Sequence, residues 1–272
     1  SGDEGLVTGS NDYVTDKPAS NEYDINTASG EVAAVPSNDF RPTGCAISDD
    51  GTRLIEIGRD DDLISQFNLS NPFEISSASF QKSIAAQDPG PEGIAFNPDG
   101  TKMYECGNSG DKIYQSTLST GYDIGTASFD KSINAQGGNS SGVEISSDGT
   151  RLYESDFGND TISQSSLSTP FDIGTASFQK SKPSRDLEPT DIEVSTDGTK
   201  FYEIGRDRQL IRQFNLSTPF DIGTASLEQS LNSADSFPTG ISFNPDGTRL
   251  YESRRGRNEI VQFNVGKPIR WE

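Results

Sequence analysis

A fixed repeat constrains the fold of this chain more than any single motif does. The turn dipeptide Asp-Gly occurs five times, and each copy lies 49 residues after the one before. The copies are Asp50-Gly51, Asp99-Gly100, Asp148-Gly149, Asp197-Gly198 and Asp246-Gly247. A constant period of roughly 20 to 50 residues is typical of solenoids and propellers. The repeat therefore predicts one domain that is assembled from like units.

Each repeat has the pattern of four short strands. In the second repeat, strands are predicted over residues 93–96, 102–106, 112–118 and 127–133. Between the first two, Pro98 presets φ for a turn and Gly100 supplies a positive φ, so the chain reverses there. Four antiparallel strands form a β-meander, and meanders pack against one another as blades. We therefore expect an all-β fold, a β-propeller.

The ends of the chain decide the number of blades. Four repeats are complete, whereas the fifth stops after three strands. Residues 23–29 repeat the pattern of residues 171–177, which precedes a fourth strand. Residues 30–35 are therefore expected to pair with the last strand and complete blade 5, which removes the exposed edges of an open array. The prediction is a single five-bladed propeller over residues 21–272, preceded by a polar leader over residues 1–20.

Charge and composition exclude several classes of function. The formal net charge of −20 argues against nucleic acid or an anionic membrane surface as a partner. No apolar run approaches the roughly 18 residues of a spanning helix, so we expect no membrane insertion. The chain has no histidine, which removes Ser-His-Asp and Cys-His nucleophile systems and imidazole zinc sites. Acidity suits an extracellular or surface-associated protein, and Cys45 and Cys106 are predicted to be buried thiols.

One sequence pattern resembles a known group of proteins. The phrase F-N-P-D-G-T-K-M-Y over residues 96–104, followed by D-x-I-x-Q-x-x-L-S-T and D-I-G-T-A-S-F, resembles the short-blade repeats of lactonase-like and NHL-like propellers. Related repeats occur in bacterial surface proteins and phage tail-fibre-like proteins. The resemblance covers about residues 21–272. It implies the fold and leaves the activity open, because such propellers include enzymes, lectins and docking platforms.

A glutamate and a glutamine recur in every repeat. The glutamates share one position on the second strand: Glu56, Glu105, Glu154, Glu203 and Glu252. The glutamines share one position on the third strand: Gln66, Gln115, Gln164, Gln213 and Gln262. One interpretation is a structural ladder in which each glutamate accepts hydrogen bonds from glutamine, tyrosine or backbone of a neighbouring strand. The alternatives are a symmetric ring of sites for cations or sugars, and simple exposure of these side chains to solvent.

Three acidic residues break the repeat on the innermost strands. Glu144 and Glu193 occupy a position that holds alanine or serine in the other blades, and Asp191 replaces a glycine. If these carboxylates face the central channel, they raise one another's pKa, as in an acid/base pair or a Ca²⁺ site. The alternative is that they pair with nearby lysine or arginine, or contact channel water. The sequence therefore predicts either no cofactor or Ca²⁺.

The loops between the second and third strands differ most between blades, and they lie on the face where propeller ligands usually bind. In blades 4, 5 and 1 these loops carry six arginines: Arg59, Arg206, Arg208, Arg254, Arg255 and Arg257. In blades 2 and 3 they are polar, and Asp111 and Asn159 are candidate ligand contacts. A guanidinium fork suits carboxylate or sulfate groups. The alternative is local pairing with acids such as Asp60, Asp207 and Glu259.

These observations favour a non-catalytic recognition module that binds a carbohydrate or another surface ligand through the loop face. Such a protein would be a monomer or part of a larger surface protein. An enzyme is the first alternative: a glycoside hydrolase, lyase or metal-dependent lactonase that uses Glu144, Asp191 and Glu193. A scaffold without a small ligand is the second alternative.

Overall fold

The computed structural model describes residues 22–233 and 235–266 as five four-stranded antiparallel sheets. A short strand, β1 (Ala33–Pro36), comes first in the chain. Blades 1 and 2 follow with β2 (Pro42–Ile47), β3 (Arg53–Gly58), β4 (Leu63–Leu69), β5 (Ala78–Ala85), β6 (Pro91–Phe96), β7 (Lys102–Gly107), β8 (Lys112–Leu118) and β9 (Ala127–Asn134). Blades 3 and 4 contain β10 (Ser140–Ile145), β11 (Arg151–Asp156), β12 (Thr161–Leu167), β13 (Ala176–Pro183), β14 (Pro189–Val194), β15 (Lys200–Gly205), β16 (Leu210–Leu216) and β17 (Ala225–Asn232). Blade 5 contains β18 (Pro238–Phe243), β19 (Arg249–Arg254) and β20 (Glu259–Asn264).

Blade 5 joins the two ends of the chain. Its strand order is β1-β20-β19-β18, and β1 pairs antiparallel with β20 from Ala33 opposite Gln262 to Pro36 opposite Glu259. The backbone N–H of Val32 also donates to the carbonyl of Gln262 at 2.9 Å. The prediction of a closed five-bladed propeller is confirmed, although the closing strand begins at Ala33 rather than at residue 30. The predicted leader over residues 1–20 lies outside the described residues.

The repeated Asp-Gly turns have one local geometry. In the first of them, Asp50 Oδ1 accepts hydrogen bonds from the backbone N–H and the hydroxyl of Thr52, at 2.9 and 2.8 Å. Gly51 has a φ of +70°, and a Cβ there would lie 2.6 Å from the ring of Phe73. Glycine is therefore needed here for two reasons: the backbone has a left-handed conformation, and the aromatic ring packed on the turn leaves no room for a Cβ.

The hydrophobic core lies between the blades rather than at the centre of the ring. The cluster between blades 1 and 2 combines Ile55 and Ile64 of one sheet with Ile94 and Met103 of the next. Similar clusters fill the remaining spaces between neighbouring sheets, including the one between blade 5 and blade 1. Cys45 and Cys106 are buried free thiols in these clusters, as predicted. Each sheet therefore needs both of its neighbours to bury its two faces.

The repeated glutamines connect each blade to the next. Each glutamine Oε1 accepts a hydrogen bond of 2.9 to 3.0 Å from the first N–H of a three-residue 3₁₀ helix in the following blade. These helices are Ile25–Thr27, Ile75–Ser77, Ile124–Thr126, Ile173–Thr175 and Ile222–Thr224. The hydrogen bonds between Gln213 and Ile25 and between Gln262 and Ile75 extend the pattern across the closure of the ring.

No helix within the described residues is long and apolar enough to cross a membrane.

A second link between neighbouring blades comes from tyrosine. Tyr104 and Tyr153 donate their hydroxyls to the carbonyls of Phe171 and Phe220, both at 2.8 Å. Tyr251 does the same across the closure, to Phe73 at 2.9 Å. Buried hydroxyls need a partner, and here each partner belongs to the adjacent blade.

We expect Gln164→Ala to destabilise the protein by about 1–3 kcal/mol, since it leaves the buried N–H of Ile222 without an acceptor. The matched control is Gln179→Ala, which removes the exposed hydrogen-bond partner of Gln164. The control should change the free energy of unfolding by less than about 0.5 kcal/mol. Urea denaturation of both variants measures the difference. Equal effects would show that the bond between blades contributes nothing specific.

Candidate functional site

The ring of repeated glutamates anchors the connections between blades. Glu56 Oε1 accepts the backbone N–H of Asn38 at 2.7 Å, and Glu154 Oε1 accepts those of Gln136 and Gly137 at 3.0 and 3.3 Å. Each carboxylate thus holds the segment that enters its own blade. In blades 1 to 4 the partners include backbone N–H groups of the connection, and in blade 5 Glu252 accepts from the hydroxyl of Ser233 instead. All five glutamates are buried, which favours the structural interpretation over a ring of ligand sites.

Arg254 belongs to this internal network. It stands where blade 1 has Gly58, and its side chain is fully buried. Its guanidinium contacts Glu31 at 2.7 Å, Glu252 at 3.0 Å and Glu259 at 3.5 Å. Although the sequence makes it a candidate ligand contact, Arg254 does not line the channel cavities described below.

The inner strands β2, β6, β10, β14 and β18 surround a central channel. The second residue of each lies near one mouth and the fifth near the other, so the two positions are roughly 10 Å apart along the strand. At the second position Thr43, Ser141, Thr190 and Thr239 each donate a hydroxyl to the carbonyl of the next inner strand, at 2.7 to 3.3 Å. Glu92 takes this position in blade 2 and breaks the ring of hydroxyls.

The mouth beside Glu92 is surrounded by arginine. We call it the arginine mouth, defined by Arg41, Arg59, Arg206 and Arg255. They enclose a cavity of about 140 Å³, whose other lining residues include Glu92, Asn108, Asn139 and Phe157. Three of the four arginines come from the loops that the sequence singles out, and they belong to blades 1, 4 and 5.

Glu92 is the one acidic side chain lining this cavity among the described residues. Its carboxylate pairs with Arg59, and Oε1 also accepts the side-chain amide N–H of Asn108 at 2.9 Å. Arg206 lies over the ring of Phe157, with its guanidinium carbon 4.6 Å from the ring centre. Arg255 makes no salt bridge to any described residue and lies 5.9 Å from the ring centre of Phe237.

Burial and like charge act together at the arginine mouth. Burial lowers the pKa of the Arg255 guanidinium, and the nearby charges of Arg41 and Arg206 lower it further. Burial also raises the pKa of the Glu92 carboxyl, against the opposing effect of the surrounding arginines. The cavity therefore concentrates positive charge in a partly dehydrated space, where an anion would be stabilised more than in water.

The remaining candidates lie away from this cavity. Arg208 is 62% exposed and stands 3.8 Å from Asp207. Arg257 is also exposed and lies 3.8 Å from Glu259. Asp111 sits in a turn of blade 2 with a φ of +49°, and Asn159 is exposed. The arginines predicted from the loops therefore fall into two sets, and Arg59, Arg206 and Arg255 form the set at the channel.

Sequence reasoning missed two residues that line the cavity of the arginine mouth. Arg41 lies in the segment before an inner strand rather than in a loop between the second and third strands. Glu92 occupies an inner-strand position that holds threonine or serine in the other blades. The repeats differ at that position as they do at Glu144 and Glu193, so the sequence contains the signal that identifies Glu92.

The opposite mouth of the channel is acidic. We call it the acidic mouth, defined by Glu144 and Glu193, which line a cavity of about 130 Å³. Burial raises the pKa of both carboxyls, and Asp191 raises both further. Asp191 itself is buried, accepts the backbone N–H of Ile241 at 2.9 Å, and has a pKa raised by burial to about 8. No group of three metal-ligating side chains was found in the described ranges.

Comparisons with known proteins support the fold alone. No protein family and no curated protein matches the sequence. Among solved structures, a 6-phosphogluconolactonase-like protein of Bacteroides fragilis has 20% identity and a TM-score of 0.49, over 71% of this chain and 55% of that one. A protein of unknown function from Desulfotomaculum acetoxidans has 14% identity and a TM-score of 0.50, over 78% and 62%. Hydrazine synthase of Kuenenia stuttgartiensis has 17% identity and a TM-score of 0.52, over 85% and 78%.

The class that fold and topology define is therefore the five-bladed β-propeller with short four-stranded blades. The chain spans less than two thirds of the length of the first two of these structures. At identities of 20% or less, their activities are not transferred to this chain.

We expect the free energy of unfolding to fall as the pH rises from about 5 to about 8. Asp191, whose pKa rises from 3.8 to about 8 on folding, stabilises the protein fully below pH 3.8 and loses that contribution as the pH approaches 8. The pKa values of Glu144 and Glu193 are raised too, so their effect has the same sign.

The matched protein is a triple variant that combines Glu144→Ala, Asp191→Gly and Glu193→Ala. Each substitution installs a residue that other blades carry at the same position. Urea denaturation across this pH range should give a shallower slope for the variant. The buried ring glutamates remain in both proteins, so the difference isolates the three inner-strand acids. Parallel profiles would contradict the assignment.

Proposed function

We propose that this protein is a non-catalytic recognition module that binds an acidic carbohydrate at the arginine mouth. The observation that carries the proposal is Arg255, a partly buried guanidinium that has no carboxylate partner among the described residues while three more arginines lie around the same cavity. A carboxylate or sulfate of a ligand would supply the missing anion in a bidentate geometry.

The charge of the whole chain strengthens this argument. With 42 acidic and 22 basic residues, four arginines around one cavity stand against the general composition. Glu92 neutralises one of them, and Arg41 pairs with Asp60 at 3.2 Å on the outer side. Arg206 also has an internal partner, because its Nε lies 3.6 Å from a carboxylate oxygen of Glu188, although it forms no hydrogen bond with a described residue. Arg255 is therefore the one arginine of the four without a carboxylate partner among the described residues.

The proposal that the ligand is a carbohydrate rests on the uncharged residues that line the same cavity. Asn108 and Asn139 present side-chain amides, which can bond sugar hydroxyls, and Phe157 presents a ring. An aromatic surface with a few convergent polar groups is typical of small-molecule sites.

Replacing Arg255 tests the proposal. We expect Arg255→Ala to weaken binding of an oligogalacturonate about tenfold or more, since a hydrogen bond to a charged group is worth about 1.5–3 kcal/mol and each 1.4 kcal/mol is tenfold. Isothermal titration calorimetry measures the change, with the neutral galactose oligomer as the comparison ligand. Arg208→Ala removes an exposed arginine outside the cavity and should bind like the parent.

Binding to the acidic oligomer should also weaken as salt is raised. If the affinity for oligogalacturonate is equal to that for the neutral oligomer and insensitive to Arg255→Ala, the arginine mouth is not a site for acidic sugars.

Glu92 offers a test of opposite sign. Glu92→Thr installs the residue that blades 1, 4 and 5 carry at this position and removes the internal partner of Arg59. We expect affinity for the acidic oligomer to increase about threefold to tenfold, because the ligand no longer competes with an internal carboxylate. Asp207→Asn changes the net charge equally at a position outside the cavity, so it serves as the control. Equal gains in both variants would indicate a general charge effect.

The enzyme remains a second candidate because Glu144 and Glu193 have raised pKa values, as a general acid requires. Asp191, the third residue of that hypothesis, is engaged with the backbone of Ile241, which leaves two acids lining the acidic mouth. Release of reducing sugar from a panel of polysaccharides, abolished by Glu144→Ala with Glu193→Ala, would favour this candidate. If neither mouth binds a ligand and no substrate turns over, the scaffold interpretation is favoured.

A further inference from the structure

The acidic mouth has the character of a second binding site. Glu144 on β10 and Glu193 on β14 both line its cavity and are partly exposed there. Neither carboxylate forms a salt bridge with a lysine or arginine in the described ranges. The buried glutamates of blades 4 and 5 differ in this respect, because Glu203 pairs with Arg212 and Glu252 pairs with Arg254. Two neighbouring carboxylates without a cation are costly to ionise.

An independent observation points to a missing partner at the same place. Ser242 on β18 occupies the corresponding position in the next blade, lines the same cavity and is only 8% exposed. Its hydroxyl forms no hydrogen bond with another described residue and keeps accessible surface in the cavity, since it is not one of the fully buried unpartnered atoms. Buried hydroxyls are normally paired with protein, water or ligand. The Ser242 hydroxyl can therefore donate or accept a hydrogen bond in the cavity that Glu144 and Glu193 also line.

Aromatic rings form the walls at the outer end of this cavity. Tyr23 and Phe243 pack with their ring centres 5.3 Å apart, and Phe96 and Tyr122 pack at 5.2 Å. All four residues line the cavity. The faces of aromatic rings carry negative potential and attract ammonium groups, while their carbon surface contacts alkyl chains.

We propose that the acidic mouth binds an organic ammonium ion whose N–H groups donate to Glu144, Glu193 and the hydroxyl of Ser242. The carbon chain of the ion then lies against the aromatic rings at the mouth. This site is separate from the proposed function, because it lies at the other end of the channel and shares no lining residue with the arginine mouth.

The walls favour an ammonium ion over a bare metal ion. Calcium takes six to eight oxygen ligands, and magnesium demands a near-ideal octahedron. Here the cavity is lined by hydrocarbon at Ala46, Ala95 and Ile94 as well as by the acids. A primary ammonium has three donors and an apolar stem, which corresponds to three acceptors surrounded by carbon.

The test is calorimetric titration of the full chain with n-butylammonium chloride at constant ionic strength. We expect saturable one-to-one binding that Glu144→Ala with Glu193→Ala weakens at least tenfold. Blades 1 and 2 carry Ala46 and Ala95 at this position, so the double variant is compatible with the fold. Ser242→Ala should weaken binding about fivefold, the value of one hydrogen bond. Arg255→Ala should leave the affinity for butylammonium unchanged, which separates this site from the arginine mouth.

Two further arms identify the source of the ammonium and exclude a metal. Nα-acetyl-lysine N-methylamide presents the same group as a protein side chain: tighter binding than butylammonium indicates a protein partner, and weaker binding indicates a free amine. Calcium chloride is the third probe. The proposal is overturned if butylammonium does not saturate, if the double variant binds it equally well, or if calcium binds there and butylammonium does not.

Discussion

Contact between neighbouring blades is the constraint on which the rest of the structure depends. A four-stranded sheet of this size has two faces to bury, and the hydrophobic clusters lie between sheets rather than within any one of them. Polar links fix the angle at which the sheets meet, because the glutamine of one blade bonds the helix of the next. The closing strand Ala33–Pro36 lets blade 5 take part in the same contacts. Without closure, two blades would each leave a core face in water.

The five-fold pattern also limits where chemistry can arise. Near the middle of each inner strand the backbones approach so closely that a Cβ on Gly93 would lie 2.9 Å from the Cα of Gly142. Four blades accordingly have glycine at this position, and blade 4 carries Asp191 there. Other departures from the repeat are found at the second and fifth residues, which face the two mouths of the channel. Glu92, Glu144 and Glu193 stand at these positions, where other blades have small or hydroxylated residues.

The fold could be predicted from the sequence because its determinants are local and repeated five times. The turn chemistry, the strand lengths and the missing fourth strand are all visible in the spacing of a few residues. The partners of the buried glutamates could not be predicted, because the connections they bind are irregular and their backbone groups have no side-chain signature. Arg254 shows a similar limit. The sequence predicts it in a loop, yet it is the last residue of β19, replaces a glycine and is enclosed by Glu31, Glu252 and Glu259. The arginine mouth could not be predicted either, because its arginines come from different repeats and meet only when the blades are arranged around the channel.

The channel has arginines at one mouth and carboxyl groups at the other, within a chain of net charge −20. Fields from exposed charges fade over a Debye length of about 8 Å at physiological ionic strength. An acidic ligand therefore meets repulsion at long range and attraction only when it reaches the arginine mouth. Added salt weakens the contact ion pairs, which act on dissociation, and it also screens the repulsion that slows approach. An ammonium ion meets attraction at both distances. The composition of the whole chain thus affects the two proposed sites in opposite ways, although each site is built from a few residues that depart from the repeat.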